Sequence, residues 1–169
     1  MNLYYRTVIN QKGVLPCHYP KNSPIPRKTT GTCLPDGQRA ELIDGQLYDM
    51  APPNRIYQKL VHEISRAVGN HIAQAGGVCE VYPAPFAVNL DAKDKDWVEP
   101  DISVICDKDK LTDRGCSGAP DWIVEIVSPS SRRMDYSIKN TLYSGAGVRE
   151  YWIVDPAKER VTIYHYDED

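Results

Sequence analysis

The chain has 169 residues and a net charge of −3; 41% of its residues are hydrophobic and 25% are charged. This composition is typical of a globular protein with one core, and the acidic balance argues against tight nonspecific binding of nucleic acid. Because no apolar stretch reaches the roughly 18 residues that cross a membrane, and the N-terminus shows no signal-peptide core, we expect a cytoplasmic protein without a membrane partner.

The cysteines give little sign of cross-linking or of zinc binding. They are odd in number and form no Cys-x-x-Cys pair: Cys17, Cys33, Cys79, Cys106 and Cys116. This spacing predicts neither a disulfide framework nor a structural zinc site. Cys106 falls in a predicted strand, where we expect it to be a small core residue.

The first part of the chain divides into an arm and the start of a folded domain. Residues 1–35 are rich in proline, lysine and threonine and predict an N-terminal arm, partly extended, whereas 36–169 predict a single domain. Asp44-Gly45 lies between two short alternating runs and predicts a β-hairpin, with Glu41 in its first strand. Asn54 is a suitable N-cap for a helix that runs to about Gln74.

The second part predicts three strands, a helix and a hairpin. Residues 79–90 read as a strand interrupted by Pro83 and Pro85, which favours a bend or a sheet edge. Two buried strands follow at 99–107 and 121–128, joined by a polar loop. A helix ends near Gly147, and a closing hairpin turns at Asp155-Pro156. The whole predicts an α/β fold with a mixed central β-sheet flanked by helices.

Two carboxylates occupy positions where apolar residues are expected. Period-two alternation places Asp101 on one face of the first buried strand, and Glu125 lies in the middle of Trp-Ile-Val-Glu-Ile-Val in the second. An ionised carboxylate in apolar surroundings is costly unless it is paired or binds a cation. If the two strands are neighbours, Asp101 and Glu125 would converge on one divalent ion such as Mg²⁺, which prefers oxygen ligands.

Lys139, on the helix that follows, would supply an ammonium to this site. Simpler explanations stay open at this point. The Pro-Asp pair at Asp101 also occurs at Asp121, where it marks only the entry to a strand. Lys139 follows Asp135 by four helical positions, so the two would also form an ordinary surface ion pair.

Five sequence blocks between about Leu34 and Tyr166 resemble the Uma family of restriction-endonuclease-like proteins, within the PD-(D/E)xK nuclease superfamily. They are LPDGQRAELIDGQLYDMAPP, GGVCEVYPAPFAV, EPDISVICD, GAPDWIVEIVSPSS and DYSIKNTLYSGAGVREYWIVDP. The resemblance implies a restriction-endonuclease-like fold and a Mg²⁺-dependent endonuclease that cuts DNA, with Mn²⁺ able to substitute. It also implies a possible homodimer, since many nucleases of the superfamily pair to reach both strands.

The resemblance also assigns roles to residues. It makes Asp101 and Glu125 metal ligands, joined by the Ile126 carbonyl and by Glu41, although Glu41 would equally suit an exposed hairpin position. The lysine that the superfamily carries two positions after the second acid falls on Val127 here, and Lys139 would replace it.

The resemblance also implies a histidine near Tyr57, which this chain lacks. Two other functions stay open: a catalytically inactive nuclease-fold module that binds DNA or protein, and a hydrolase of another phosphate ester. The acidic net charge and the missing lysine at Val127 favour the inactive module, whereas the retained acids favour the enzyme.

Overall fold

The computed structural model describes residues 39–91 and 93–166. The predicted N-terminal arm, residues 1–35, lies outside this range. In chain order, the strands are β1 (Ala40–Ile43), β2 (Gln46–Asp49), β3 (Glu80–Pro83), β4 (Val88–Asn89), β5 (Trp97–Val98), β6 (Ile102–Ile105), β7 (Leu111–Thr112), β8 (Gly115–Ser117), β9 (Trp122–Ile126), β10 (Glu150–Asp155) and β11 (Arg160–His165). The described strands form two mixed sheets, so the α/β prediction is confirmed, but the strands divide where one central sheet was expected.

The first sheet has six short strands in the order β2-β1-β5-β4-β8-β7. Its β1–β2 hairpin turns at Asp44 and Gly45, both with positive φ (49° and 73°), which confirms the predicted tight turn. Strands β7 and β8 lie in the segment predicted as a polar loop. Strands of two or three residues are too short to show a periodic pattern, which is why the sequence did not reveal them.

The second sheet has five strands in the order β11-β10-β9-β6-β3. The two predicted buried strands, β6 and β9, are antiparallel neighbours, as the metal hypothesis requires. Strand β3 lies at the edge, in agreement with the prolines that follow Tyr82. Strand β10 runs parallel to β9 and forms the predicted closing hairpin with β11.

Helix α1 (Arg55–Gln74) begins at the predicted N-cap, where the Asn54 side chain accepts a hydrogen bond from the Tyr57 amide at 2.9 Å. The second helix, α2, starts with a π-helical turn (Met134–Lys139) and continues as an α-helix (Asn140–Ala146). Gly147 ends it in the left-handed conformation with φ 89°, as predicted. Neither helix, nor any other in the described residues, is long and apolar enough to cross a membrane.

The five-stranded sheet is covered on both faces. On one face, α1 packs through Val61 onto Ile102 and Val124. On the other face, Ile123 and Ile153 pack with α2 and with the six-stranded sheet in one continuous core. The face shared with α2 and the first sheet is the one that carries Asp101 and Glu125, because side chains alternate along a strand.

The expectation for the cysteines was wrong at one position. Cys106 forms a disulfide with Cys79. The register Glu80↔Ile105, extended by one residue, places these two cysteines directly opposite each other at the edge of the sheet. Sequence spacing did not reveal this pair because it depends on which strands are neighbours. Cys116 is a free, buried cysteine.

Candidate active site

The predicted acids meet where the chain passes from the first sheet to the second. Asp101 immediately precedes β6, three residues after β5 ends. The register Ile102↔Val124, extended by one residue, places Asp101 opposite Glu125 on β9. Since opposite residues of an antiparallel pair project from the same face, the two carboxylates share one side of the sheet.

Lys139 lies in the same buried cluster. Its Nζ donates to Oε1 of Glu125 at 2.8 Å and lies 2.9 Å from both carboxylate oxygens of Glu41. The lysine is 4% exposed, so the surface pair with Asp135 is not the arrangement found. Lys139 ends the π-helical turn of α2, a local geometry that is frequent at functional sites.

Glu41 reaches the cluster from β1 of the first sheet and is itself 4% exposed. Besides Lys139, its Oε1 accepts a hydrogen bond from the backbone amide of Glu99 at 3.0 Å. The interpretation of Glu41 as an exposed hairpin residue is therefore wrong. Both of its oxygens face the ammonium, which suits a carboxylate that holds a lysine in place.

The Asp101 carboxylate accepts one hydrogen bond on each oxygen. The Tyr57 hydroxyl donates to Oδ1, and the backbone amide of Ile126 donates to Oδ2 at 2.6 Å. The first donor comes from α1 and the second from β9. Two donors on separate elements therefore fix the orientation of this carboxylate beside Glu125.

Two further side chains of α2 complete the cluster. Tyr143 is fully buried and donates its hydroxyl hydrogen to Oε1 of Glu125 at 2.8 Å, the same oxygen that Lys139 contacts. Asp135 is 3% exposed and interacts electrostatically with Lys139. The sequence contained a signal for both residues, because Asp135, Lys139 and Tyr143 recur at four-residue spacing along one helical stripe.

Burial dominates the acidity of the carboxyl groups. It raises the pKa of Asp101 to about 6, although the hydrogen bonds from Tyr57 and Ile126 act in the opposite direction. Burial also raises the pKa of Glu125 well above its ordinary value, and Lys139 opposes this shift while Asp101 adds to it. Burial is also the main cause of the raised pKa of Asp135. A nearby positive charge would therefore stabilise the ionised form of each of these carboxyl groups.

Lys139 remains charged in this environment. Burial by itself would lower the pKa of its ammonium, but the carboxylates of Glu125 and Glu41 outweigh burial and raise that pKa well above the ordinary value. Among the described residues, Lys139 is the only buried cation, whereas four acids are buried with it: Glu41, Asp101, Glu125 and Asp135. Four carboxyl groups thus share one ammonium, and burial raises the pKa of three of them: Asp101, Glu125 and Asp135.

The donor set fits magnesium better than zinc. Across the described residues, no group of three or more His, Cys, Asp or Glu side chains is arranged as a ready metal cage. Mg²⁺ keeps several of its waters and is commonly bound through one or two carboxylates, whereas structural zinc takes four Cys or His ligands. Asp101 and Glu125 match the first pattern, and the assignment of Glu41 as a third ligand stays a prediction.

Two other acids named by the sequence have structural roles. Asp121, directly before β9, accepts a hydrogen bond from the backbone amide of Cys106 at 2.7 Å through its Oδ2. Asp155 is fully buried and pairs with Arg132, and its carboxylate also accepts the amide of Lys158 in the turn of the closing hairpin. Neither joins the Glu125 cluster through a direct hydrogen bond to its carboxylates or to Lys139 among the described residues.

Comparisons with known proteins agree on the type of fold. The Uma2 family model, described as "Putative restriction endonuclease", matches residues 30–169. A crystal structure titled as a putative nuclease belonging to DUF820, from Anabaena variabilis, superposes with a TM-score of 0.63 at 19% identity. That match covers 77% of this chain and 73% of the other, and it shows a nuclease-like fold.

One sequence relative matches most of this chain. A protein of Synechocystis sp. (strain ATCC 27184 / PCC 6803 / Kazusa), described as uncharacterized, is 26% identical over 133 residues. The match spans 78% of this chain and 68% of that protein.

Proposed function

Because the chain belongs to the Uma2 family of restriction-endonuclease-like proteins, we propose that it is a metal-dependent nuclease that hydrolyses phosphodiester bonds in DNA. One observation carries the proposal: the Lys139 ammonium contacts Glu125 at 2.8 Å, and Glu125 stands opposite Asp101 in the extended strand register. Two neighbouring acids can hold a metal that activates a water, and a lysine beside the second acid can stabilise the negative charge that develops in phosphodiester hydrolysis.

Asp101 and Glu125 would hold Mg²⁺, with Mn²⁺ able to substitute. When bound, such a cation polarises a phosphoryl oxygen and lowers the pKa of a bound water. The protein's own contribution is to fix the two carboxylates. Asp101 is held by Tyr57 and Ile126, and both hydrogen bonds from Lys139 and Tyr143 to Glu125 end on Oε1.

Lys139 would act as a donor. Its raised pKa keeps the ammonium protonated, so it can orient the attacking water and stabilise negative charge on the phosphoryl oxygens, but it is not a base. In the reaction, a water oxygen forms a bond to phosphorus and the bond from phosphorus to one sugar oxygen breaks. The attacking water gives up one proton to solvent, and the departing sugar oxygen takes up one proton from solvent.

Glu41 would assist through Lys139. The sequence-based prediction makes it a metal ligand, but its oxygens lie 2.9 Å from the ammonium and one of them accepts the Glu99 amide. These contacts support a role in positioning Lys139 between the two sheets. Glu41→Gln should therefore weaken cutting while metal binding at Asp101 and Glu125 persists.

The test is plasmid cleavage with Mg²⁺ or Mn²⁺ by the wild type, Glu125→Ala and Lys139→Ala. We expect both variants to lose cutting. Glu63→Ala is the control, because Glu63 is an exposed α1 residue that forms a surface ion pair with Arg66. Equal cutting by the wild type and the two site variants would reject the nuclease proposal.

The inactive nuclease-fold module is the second candidate. The closed site favours this candidate. Lys139 forms ion pairs with both Glu41 and Glu125, and all three side chains are nearly inaccessible to solvent. Calorimetric titration with Mn²⁺ separates the two, since a module without metal chemistry gives no heat that depends on Glu125. Heat that disappears in Glu125→Ala would favour the enzyme.

A homodimer in the cytoplasm is part of the same proposal. The resemblance supports pairing, and the edge strand β11 carries two exposed aliphatic side chains, Val161 and Ile163, which is a surface suited to association. Sedimentation equilibrium of the wild type and Ile163→Lys tests this. A monomeric wild type would reject the dimer, and a dimer unaffected by the substitution would place the contact elsewhere.

A further inference from the structure

Tyr57 enters the site from the helix on the opposite side of the sheet. The Asn54 cap accepts the Tyr57 amide at 2.9 Å, and this fixes the first turn of α1. The Tyr57 ring packs with the cluster of Val61, Ile102 and Val124 beneath the helix. From this position, its hydroxyl reaches past the end of β6 and donates to Oδ1 of Asp101.

The consequence for Asp101 is a fixed carboxylate plane. The terminal torsion of an aspartate is broad and roughly two-fold, so a single hydrogen bond leaves considerable freedom. Here the Ile126 amide holds Oδ2 at 2.6 Å while Tyr57 holds Oδ1. Ile126 directly follows Glu125, and its amide therefore ties the orientation of Asp101 to the strand that carries the second acid.

We propose that Tyr57 is a positioning residue, whose hydroxyl holds Asp101 in the orientation from which it and Glu125 bind one divalent cation. This inference rests on the proposed function. Groups that orient metal ligands typically change metal affinity by 10- to 100-fold when they are removed.

Tyr57→Phe is the direct test, because the ring that fills the space under α1 remains and only the hydroxyl is lost. Tyr48→Phe is the matched control: Tyr48 stands opposite Glu41 in the β1–β2 register, but its hydroxyl donates to the Gln46 side chain and not to Asp101 or Glu125. For each protein, the dissociation constant of Mn²⁺ is measured from the electron paramagnetic resonance signal of free Mn²⁺, and the apo melting temperature is measured beside it.

We expect Tyr57→Phe to raise the Mn²⁺ dissociation constant by about 10-fold or more. Tyr48→Phe should match the wild type. Tyr57→His should recover part of the affinity, because the imidazole restores a donor. A hydroxyl with a merely structural role would lower the melting temperature and leave the Mn²⁺ constant unchanged, and that outcome would overturn the inference.

The result also separates this inference from the proposed function. If the wild type binds no Mn²⁺ in a manner that requires Glu125, both are rejected. If binding requires Glu125 but is the same in Tyr57→Phe and the wild type, only the role of Tyr57 is rejected. The readout is metal binding, so it does not depend on finding the DNA that the protein cuts.

Discussion

The Lys139 ammonium donates to Oε1 of Glu125 at 2.8 Å, and this bond joins α2 to the central strand of the five-stranded sheet. The same ammonium lies 2.9 Å from Glu41 of the six-stranded sheet. One buried cation therefore links three elements of the fold. Lys139, which is proposed to act in catalysis, should therefore also stabilise the fold.

Lys139→Met should destabilise the protein by about 3–5 kcal/mol at neutral pH, because it leaves two buried carboxylates without their cation. Urea denaturation measures the loss. Adding Glu125→Gln to the same chain should recover part of it, since one of the unpaired charges is then gone. A cost below about 1 kcal/mol for the single variant would contradict this account.

The raised pKa of Asp101 predicts a pH dependence of stability in the metal-free protein. The folded protein keeps the Asp101 proton up to a pKa of about 6, whereas the unfolded chain loses it near the ordinary aspartate pKa of 3.8. Between these values the folded state binds more protons, so the free energy of unfolding falls as pH rises through this window, by about 3 kcal/mol.

Asp101→Asn is the control for this pH effect, because asparagine does not titrate. Urea melts at pH 4 and at pH 7 should show a smaller decline in the variant than in the wild type. If both proteins decline equally, Asp101 does not hold its proton as described.

The Cys79–Cys106 disulfide closes a loop with a sequence separation of 27 residues. Loop-closure entropy predicts that breaking it costs about 3–4 kcal/mol. A reducing agent should therefore lower the melting temperature of the wild type but not that of the double variant Cys79→Ser, Cys106→Ser. Peptide mapping without reduction should recover the two cysteines in one linked fragment, and finding them as free thiols would contradict the pairing.

Gly115 is a position where only glycine fits. Its φ is 134°, and an added Cβ would lie 2.0 Å from the carbonyl oxygen of Ala87, which accepts the Cys116 amide. Gly115→Ala should disrupt the β4–β8 pairing and lower the urea midpoint strongly. Gly69→Ala is the control in α1, where nothing lies within 4 Å of the added atom, and it should raise stability by about 0.5–1 kcal/mol. Equal midpoints for the two variants would refute the steric argument.

The sequence by itself located the longer elements and most residues of the candidate site. Periods of two and 3.6 residues are local properties, so they located the hairpin at Asp44, helix α1, the strands with Asp101 and Glu125, and the helix with Lys139. A carboxylate in the middle of an apolar strand demanded a positive partner, and Lys139 is that partner.

The tertiary structure alone decided which distant residues meet. The division into two sheets, the Cys79–Cys106 disulfide and the contact of Tyr57 with Asp101 all depend on strand register and on which face a helix covers. Glu41 and Lys139 are separated by 98 positions and come from different layers. Local periodicity contains no information about such pairings, because they are selected by the burial and packing of the whole chain.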